Sequence, residues 1–290
     1  MKCTICPREC GADRKKEKGY CGVGQDFTLA RAAKHMWEEP PISGTMGSGT
    51  VFFSGCNLGC VFCQNYEISH GCKGKTVSEE RLREICLSLI GEGVHNINFV
   101  NPTHYAPALS DFLEKNSFPV PVVYNSGGYE KTETLKRLEE KIQIYLPDLK
   151  YISDERSDKY SSAHDYFSYA SKALTEMKRQ CPENIYDEKG IMQRGMIVRH
   201  LILPKNTNQS LKILDWIKEN LGTDTVISLM SQYTPYGKIE DFPELQRKIT
   251  EREYFKVLDY AENLGFENIF TQSSLSADEE FIPNFDFTGI

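Results

Sequence analysis

No stretch of this chain runs for 18 apolar residues, and its opening residues, MKCTICPREC, lack the apolar centre of a secretory leader. A membrane span and a secretory signal are therefore not expected, and the expected compartment is the cytoplasm. Positive charge is also short. The 34 Lys and Arg face 41 Asp and Glu, a formal net charge of −7, which disfavours sequence-independent attraction to nucleic acid or to anionic membranes. The nearest basic run, DRKKEK at 13–18, mixes both signs and reads as a solvated loop. The glycine-rich SGTMGSGT (43–50) has neither GxGxxG nor Walker spacing, so its glycines are expected to make tight turns into a strand rather than cradle phosphate. Solenoid repeats and low-complexity segments are missing too.

What the chain does have is cysteine, ten in 290 residues. In a reducing compartment that number points away from a disulfide framework and towards metal or redox chemistry. Two groups stand out. Cys3, Cys6, Cys10 and Cys21 lie in residues 1–26, a charged segment with almost no apolar periodicity, which cannot build a core without a ligand. Cys56, Cys60 and Cys63 fall within SGCNLGCVFCQN (54–65).

Beyond residue 26, short apolar runs alternate with amphipathic segments. TVFF (50–53), NINFV (96–100), PVVYN (121–125), IQIYL (142–146), MIVRHLIL (196–203) and TVISLM (225–230) read as buried strands, with NIFTQ (268–272) as a seventh. Between them, SEERLREICLSLIGEG (78–93) has a Ser cap, an acidic first turn and a glycine stop, the marks of a helix. NIYDEKGIMQR (184–194) reads as a small hairpin about Lys189-Gly190, and 154–180 as the polar, aromatic stretch that follows the fourth strand. Such alternation predicts parallel βαβ units closing into a partial or near-complete (β/α) barrel over 27–290, preceded by a metal knuckle over 1–26. Barrels of this kind carry their chemistry on loops at the C-terminal ends of the strands, and the three-cysteine loop directly follows the first of them.

Three thiols on one loop are the wrong number for a structural zinc ion, which takes four protein ligands. A cubane cluster has four irons, so three thiolates leave one iron open to a ligand that is not protein. The loop fits CxxxCxΦC with Phe62 at the aromatic position, and in this the chain resembles the radical S-adenosylmethionine (radical SAM) superfamily, within it the branch of the pyruvate formate-lyase activating enzyme. EEPPISGTMGSGTVFFSGCNLGCVFCQN (38–65), NPTHYAP (101–107), LPDLKY (146–151), VRHLILP (198–204), ISLMSQYTP (227–235) and the closing FIPNFDFTG (281–289) carry the likeness.

The resemblance implies a [4Fe–4S] cluster on Cys56, Cys60 and Cys63, S-adenosylmethionine chelated to the free iron, and an external one-electron reductant of flavodoxin or ferredoxin type. It further implies reductive cleavage of the cofactor and hydrogen abstraction by a 5′-deoxyadenosyl radical. On this reading Phe62 packs on the adenine side, and Gln64 and Asn65 cap the cluster loop, with Asn65 facing the cofactor. Pro102, Thr103 and His104 replace the Gly-Gly-Glu phrase common in the superfamily. Asn125 and Ser126 approach the ribose, Asp148 and Lys150 match an Asp-x-Lys pair that points into the barrel, and Arg199 and Gln232 complete the cofactor site. His104, Asp148 and Lys150 are the expected catalytic set.

The four N-terminal cysteines suit either a structural zinc or an auxiliary [4Fe–4S] cluster, with the CxxC opening favouring zinc. Cys86 and Cys181 read as buried and inert. Cys72 carries a rival reading, as a fourth ligand that would close the cluster and make the protein an electron carrier. A zinc-based RNA-binding module is a further alternative, disfavoured by the acidic balance. The substrate stays open between a glycine of a partner enzyme and a small molecule or peptide, and Glu38 and Glu39 have no assigned role.

Overall fold

The computed structural model describes residues 2–271 and 283–290. Gln272 of the expected seventh strand and Phe281 and Ile282 of the closing phrase lie outside these residues. Strand β1 (Thr28–His35) runs antiparallel to β2 (Ser48–Phe53), with the short helix α1 (Pro40–Ser43) between them. After α2 (Tyr66–Ser69) comes β3 (Lys75–Thr76), which pairs with β1. The regular alternation follows: α3 (Glu79–Gly91), β4 (Ile97–Val100), α4 (Ala106–Lys115), β5 (Val122–Ser126), α5 (Thr132–Lys136), β6 (Ile144–Pro147).

The stretch expected to follow β6 is two helices, α6 (Asp154–Ser161) and α7 (Tyr166–Gln180). Ser162 turns left-handed at φ 48° between them and stops the first. The hairpin is present as β7 (Ile185–Tyr186) against the start of β8 (Met192–Leu201). Then come α8 (Thr207–Leu221), β9 (Val226–Met230), α9 (Glu251–Asn263) and β10 (Ile269–Thr271). The order β10-β9-β8-β6-β5-β4-β2-β1-β3 is parallel from β10 to β2, an α/β fold in the form of a partial barrel.

The strands of the parallel set other than the edge strand β10 are buried on both faces at their centres, and the period-2 alternation sorts their residues into two cores. Val122, Tyr124, Tyr145, Met196, Val198, Ile227 and Leu229 face the helices. Val123, Ile144, Leu146, Ile197 and Val226 face inward and pack with Ile42 of α1 into an apolar floor. One inward step further along these strands the residues become polar: Asn125, Asp148, Arg199 and Ser228. Because His35 pairs with Ser48 at the start of β2, α1 crosses the end of the barrel opposite the cysteine loop. The glycines before β2 do turn the chain, with Gly44 at φ 46° and Gly47 at φ 81°.

Candidate functional site

The cysteine loop leaves β2 at Ser54 and is braced from several sides. His104 holds the Ser54 carbonyl through Nε2 at 2.8 Å, Gly55 N–H donates to Ile68 O at 2.7 Å, and Asn101 Nδ2 donates to Gly55 O at 2.6 Å. Asn57 Nδ2 donates to Tyr129 O at 2.7 Å. The thiols themselves meet donors. Leu58 N–H points at Cys56 Sγ, 3.3 Å away, and the Ser161 hydroxyl at Cys60 Sγ, 3.1 Å away. Donors aimed at sulfur are what a thiolate requires and a thiol does not.

Burial pushes the thiols of Cys60 and Cys63 upward, Cys63 to about 12. A bound cation is then what deprotonates them, with release of protons on loading. Among the described residues no group of three or more His, Cys, Asp or Glu side chains is arranged to hold one metal ion. A cubane distributes its cysteines over separate irons, so an all-thiol loop with sulfur-directed donors fits that group.

Facing the loop, the polar inward layer forms one ionic network. Lys150 Nζ lies 2.6 Å from Asp148 Oδ2 and Arg199 Nε 2.9 Å from Asp148 Oδ1. Arg199 also donates to Asn125 Oδ1 at 2.6 Å and reaches Glu38 Oε2 at 3.4 Å. Asn98 Nδ2 donates to Glu38 Oε1 at 3.0 Å. These charged side chains keep 10–18% of their surface exposed, so water reaches them within the barrel. Burial alone would raise the Asp148 carboxyl, but Arg199 and Lys150 outweigh it and hold the group below its ordinary value. Burial raises Glu38 and Glu39 above theirs, only partly opposed by Arg199. Lys150 is depressed by burial but raised by Asp148 and by the nearby Cys60, and ends above its ordinary value.

Sequence, fold and site agree with one comparison. Residues 50–230 match the Radical SAM superfamily. The chain belongs to that superfamily. An uncharacterized protein of Methanocaldococcus jannaschii, MJ0674, is 30% identical over 280 residues, covering 92% of this chain and 76% of its own. Among solved structures, the FeFe-hydrogenase maturase HydG from Carboxydothermus hydrogenoformans superposes with a TM-score of 0.54 at 12% identity, over 83% of this chain and 58% of that one. Streptococcus suis SuiB, solved with its precursor peptide SuiA, gives 0.51 at 13% identity, over 75% of this chain and 46% of that one. The chain thus spans about half the length of these two neighbours, and at such identities the likeness is one of fold. Membership brings with it a [4Fe–4S] cluster and S-adenosylmethionine.

Against the expected residues, the structure brings Asn125, Asp148, Lys150 and Arg199 together and adds Glu38, placed there by the crossing of α1. Gln64 bridges to Gln232 across the mouth, its Nε2 3.1 Å from the Gln232 carbonyl. Asn65 stands at the start of α2 with no side-chain capping bond. Phe62 is buried edge-on against Tyr160 and Tyr233, in the aromatic packing behind the loop. Pro102 O accepts from Tyr105 N at 2.8 Å, and Ser126 Oγ from Gly128 N at 3.3 Å.

Thr103 bonds Glu130 at 2.5 Å. His104, of the expected catalytic set, is buried, which takes its imidazole down to about 3, and it braces the Ser54 carbonyl. Cys72 lies against Gly22 and the Cys21 carbonyl, beside the N-terminal segment. Cys86 and Cys181 are buried, as expected. Sequence reasoning missed Glu130, Asn101 and Ser161, since nothing in their local pattern marks them.

Proposed function

We propose that the protein cleaves S-adenosylmethionine reductively at a cluster held by Cys56, Cys60 and Cys63 and abstracts a hydrogen atom from a polar small molecule or peptide admitted to the barrel. The observation that carries this reading is the placement of three thiols on one loop, two of them met by hydrogen-bond donors, beside a buried ionic network that is still reached by water. When bound, the cluster and cofactor supply the electron and the 5′-deoxyadenosyl radical. The chain's own groups do the rest. Asp148, fixed between two cations, stays ionised and orients Lys150 and Arg199. Those donors, with Asn125 and Glu38, hold polar groups of cofactor and substrate, and the apolar floor closes the far end against water.

The four N-terminal cysteines are proposed as a second metal site. Four thiolates suit either a structural zinc ion or an auxiliary [4Fe–4S] cluster, and the CxxC opening favours zinc. Anaerobic reconstitution with iron and sulfide tests the main reading: added S-adenosylmethionine is expected to perturb the reduced cluster's EPR signal and to yield 5′-deoxyadenosine. A cluster indifferent to the cofactor would sink it and favour an electron carrier. Hydrogen loss from a partner enzyme's glycine, with no turnover of small polar donors, would move the substrate to the activase class.

A further inference from the structure

Arg8 sits between Cys6 and Cys10, in a segment whose described residues form no helix or strand. Its guanidinium leaves that segment and enters the cysteine loop. Nε donates to Asn57 O at 2.8 Å and Nη2 to Leu58 O at 3.0 Å, the two residues that follow Cys56. The same group donates to Ser161 O at 2.8 Å and to Ser162 O, where α6 ends. Ser161 is also the residue whose hydroxyl points at Cys60 Sγ. Tyr20 and Tyr129 cover the guanidinium, with ring centres 4.2 Å and 5.3 Å from it. A second tie runs beside this one, from Cys56 N–H to Cys21 O at 3.2 Å. Gly55 makes room for it, since a side chain there would stand 2.4 Å from the Cys21 carbonyl oxygen.

Every hydrogen bond of the Arg8 guanidinium goes to a carbonyl, and no ion pair with a carboxylate is formed among the described residues. A cation held this way costs desolvation that neutral acceptors repay only in part. It lies between two cysteine groups that become anionic when they hold metal. We propose that Arg8 is a positioning residue for the cluster loop: it fixes the carbonyls after Cys56 and the serine that solvates Cys60, and its charge stabilises the reduced cluster. Order in the N-terminal segment, and so occupancy of its four thiols, thereby reaches the first cluster through Arg8 and the Cys21 carbonyl. The inference rests on Cys56, Cys60 and Cys63 being cluster ligands.

The test uses reconstituted full-length protein and reads the EPR signal that responds to S-adenosylmethionine. Arg8→Ala is expected to shift the midpoint of that signal to more negative potential and to speed loss of iron to a chelator by roughly 10-fold or more, as befits charge-assisted hydrogen bonds. Arg8→Lys keeps the charge but cannot fork to several carbonyls; it is expected to restore the midpoint and leave iron loss fast. An unchanged midpoint in Arg8→Ala, with the cluster present and responsive to the cofactor, overturns the inference alone. A wild-type cluster with no response to the cofactor overturns the functional reading instead. If Arg8→Ala does not load, a midpoint in Arg8→Lys as negative as that of a Gln variant overturns the electrostatic part.

Discussion

The two cysteine groups are built on opposite principles. Cys56, Cys60 and Cys63 hang from the end of a strand buried on both faces, and hydrogen bonds from β2, β4, α2 and α6 or their flanks hold the loop. Cys3, Cys6, Cys10 and Cys21 occupy a segment without helix or strand, held by turns such as Cys3 N to Ala12 O and Gly11 N to Cys3 O, both 3.0 Å, and by side-chain ties to the barrel through Arg8, Arg14 and Thr134. On the proposed reading, metal is reactant machinery in the first and a substitute for a core in the second.

The sharpest way to break this comparison is at the first group. Cys60→Ala is expected to abolish 5′-deoxyadenosine formation and the cofactor-responsive EPR signal, while Cys72→Ala keeps both; loss of the signal in Cys72→Ala would restore the closed-cluster alternative. Next in size is the network below. Asp148→Asn leaves Lys150 and Arg199 without their shared carboxylate, and denaturant unfolding should show a loss of up to about 3–5 kcal/mol. An unchanged midpoint of denaturation would mean that water already screens the pair.

Behind the loop, burial raises Glu130 from an ordinary 4.5 to about 7, opposed by bonds from Thr103, Ser126 and Tyr124. The folded state therefore binds this proton more tightly than the unfolded chain does. Its contribution, up to about 3 kcal/mol, is full below pH 4.5 and is lost as pH rises through about 7. Glu130→Gln should flatten the stability profile between those limits; a profile that keeps its slope would assign the slope elsewhere. The smallest effect on the barrel is expected from the second group. Chelation should speed proteolysis within 13–18 yet hardly move the barrel's unfolding midpoint. In a Cys56/Cys60/Cys63→Ala variant, elemental analysis is expected to find zinc; iron retained there would refute the zinc reading and favour an auxiliary cluster.

Much of this was legible locally. The parallel strands from β2 to β10 lie where apolar runs predicted them, because strands covered on both sides are apolar over most of their length. The three-cysteine loop was legible because ligand count is a property of spacing. The burial of His104 was not legible, since a loop histidine looks exposed until packing covers it. Glu38 was opaque for the opposite reason: its partners Asn98, Asn125 and Arg199 are 60, 87 and 161 residues away.

By itself the chain determined its strands, its helices and which residues could bind iron, since periodicity and ligand chemistry act over a few residues. Only the tertiary structure decided that the inward positions change from apolar to charged at one level of the barrel, that α1 delivers Glu38 there, and that Arg8 reaches the carbonyls behind Cys56. Those are meetings between distant segments, and closing the barrel is the physical event that makes them.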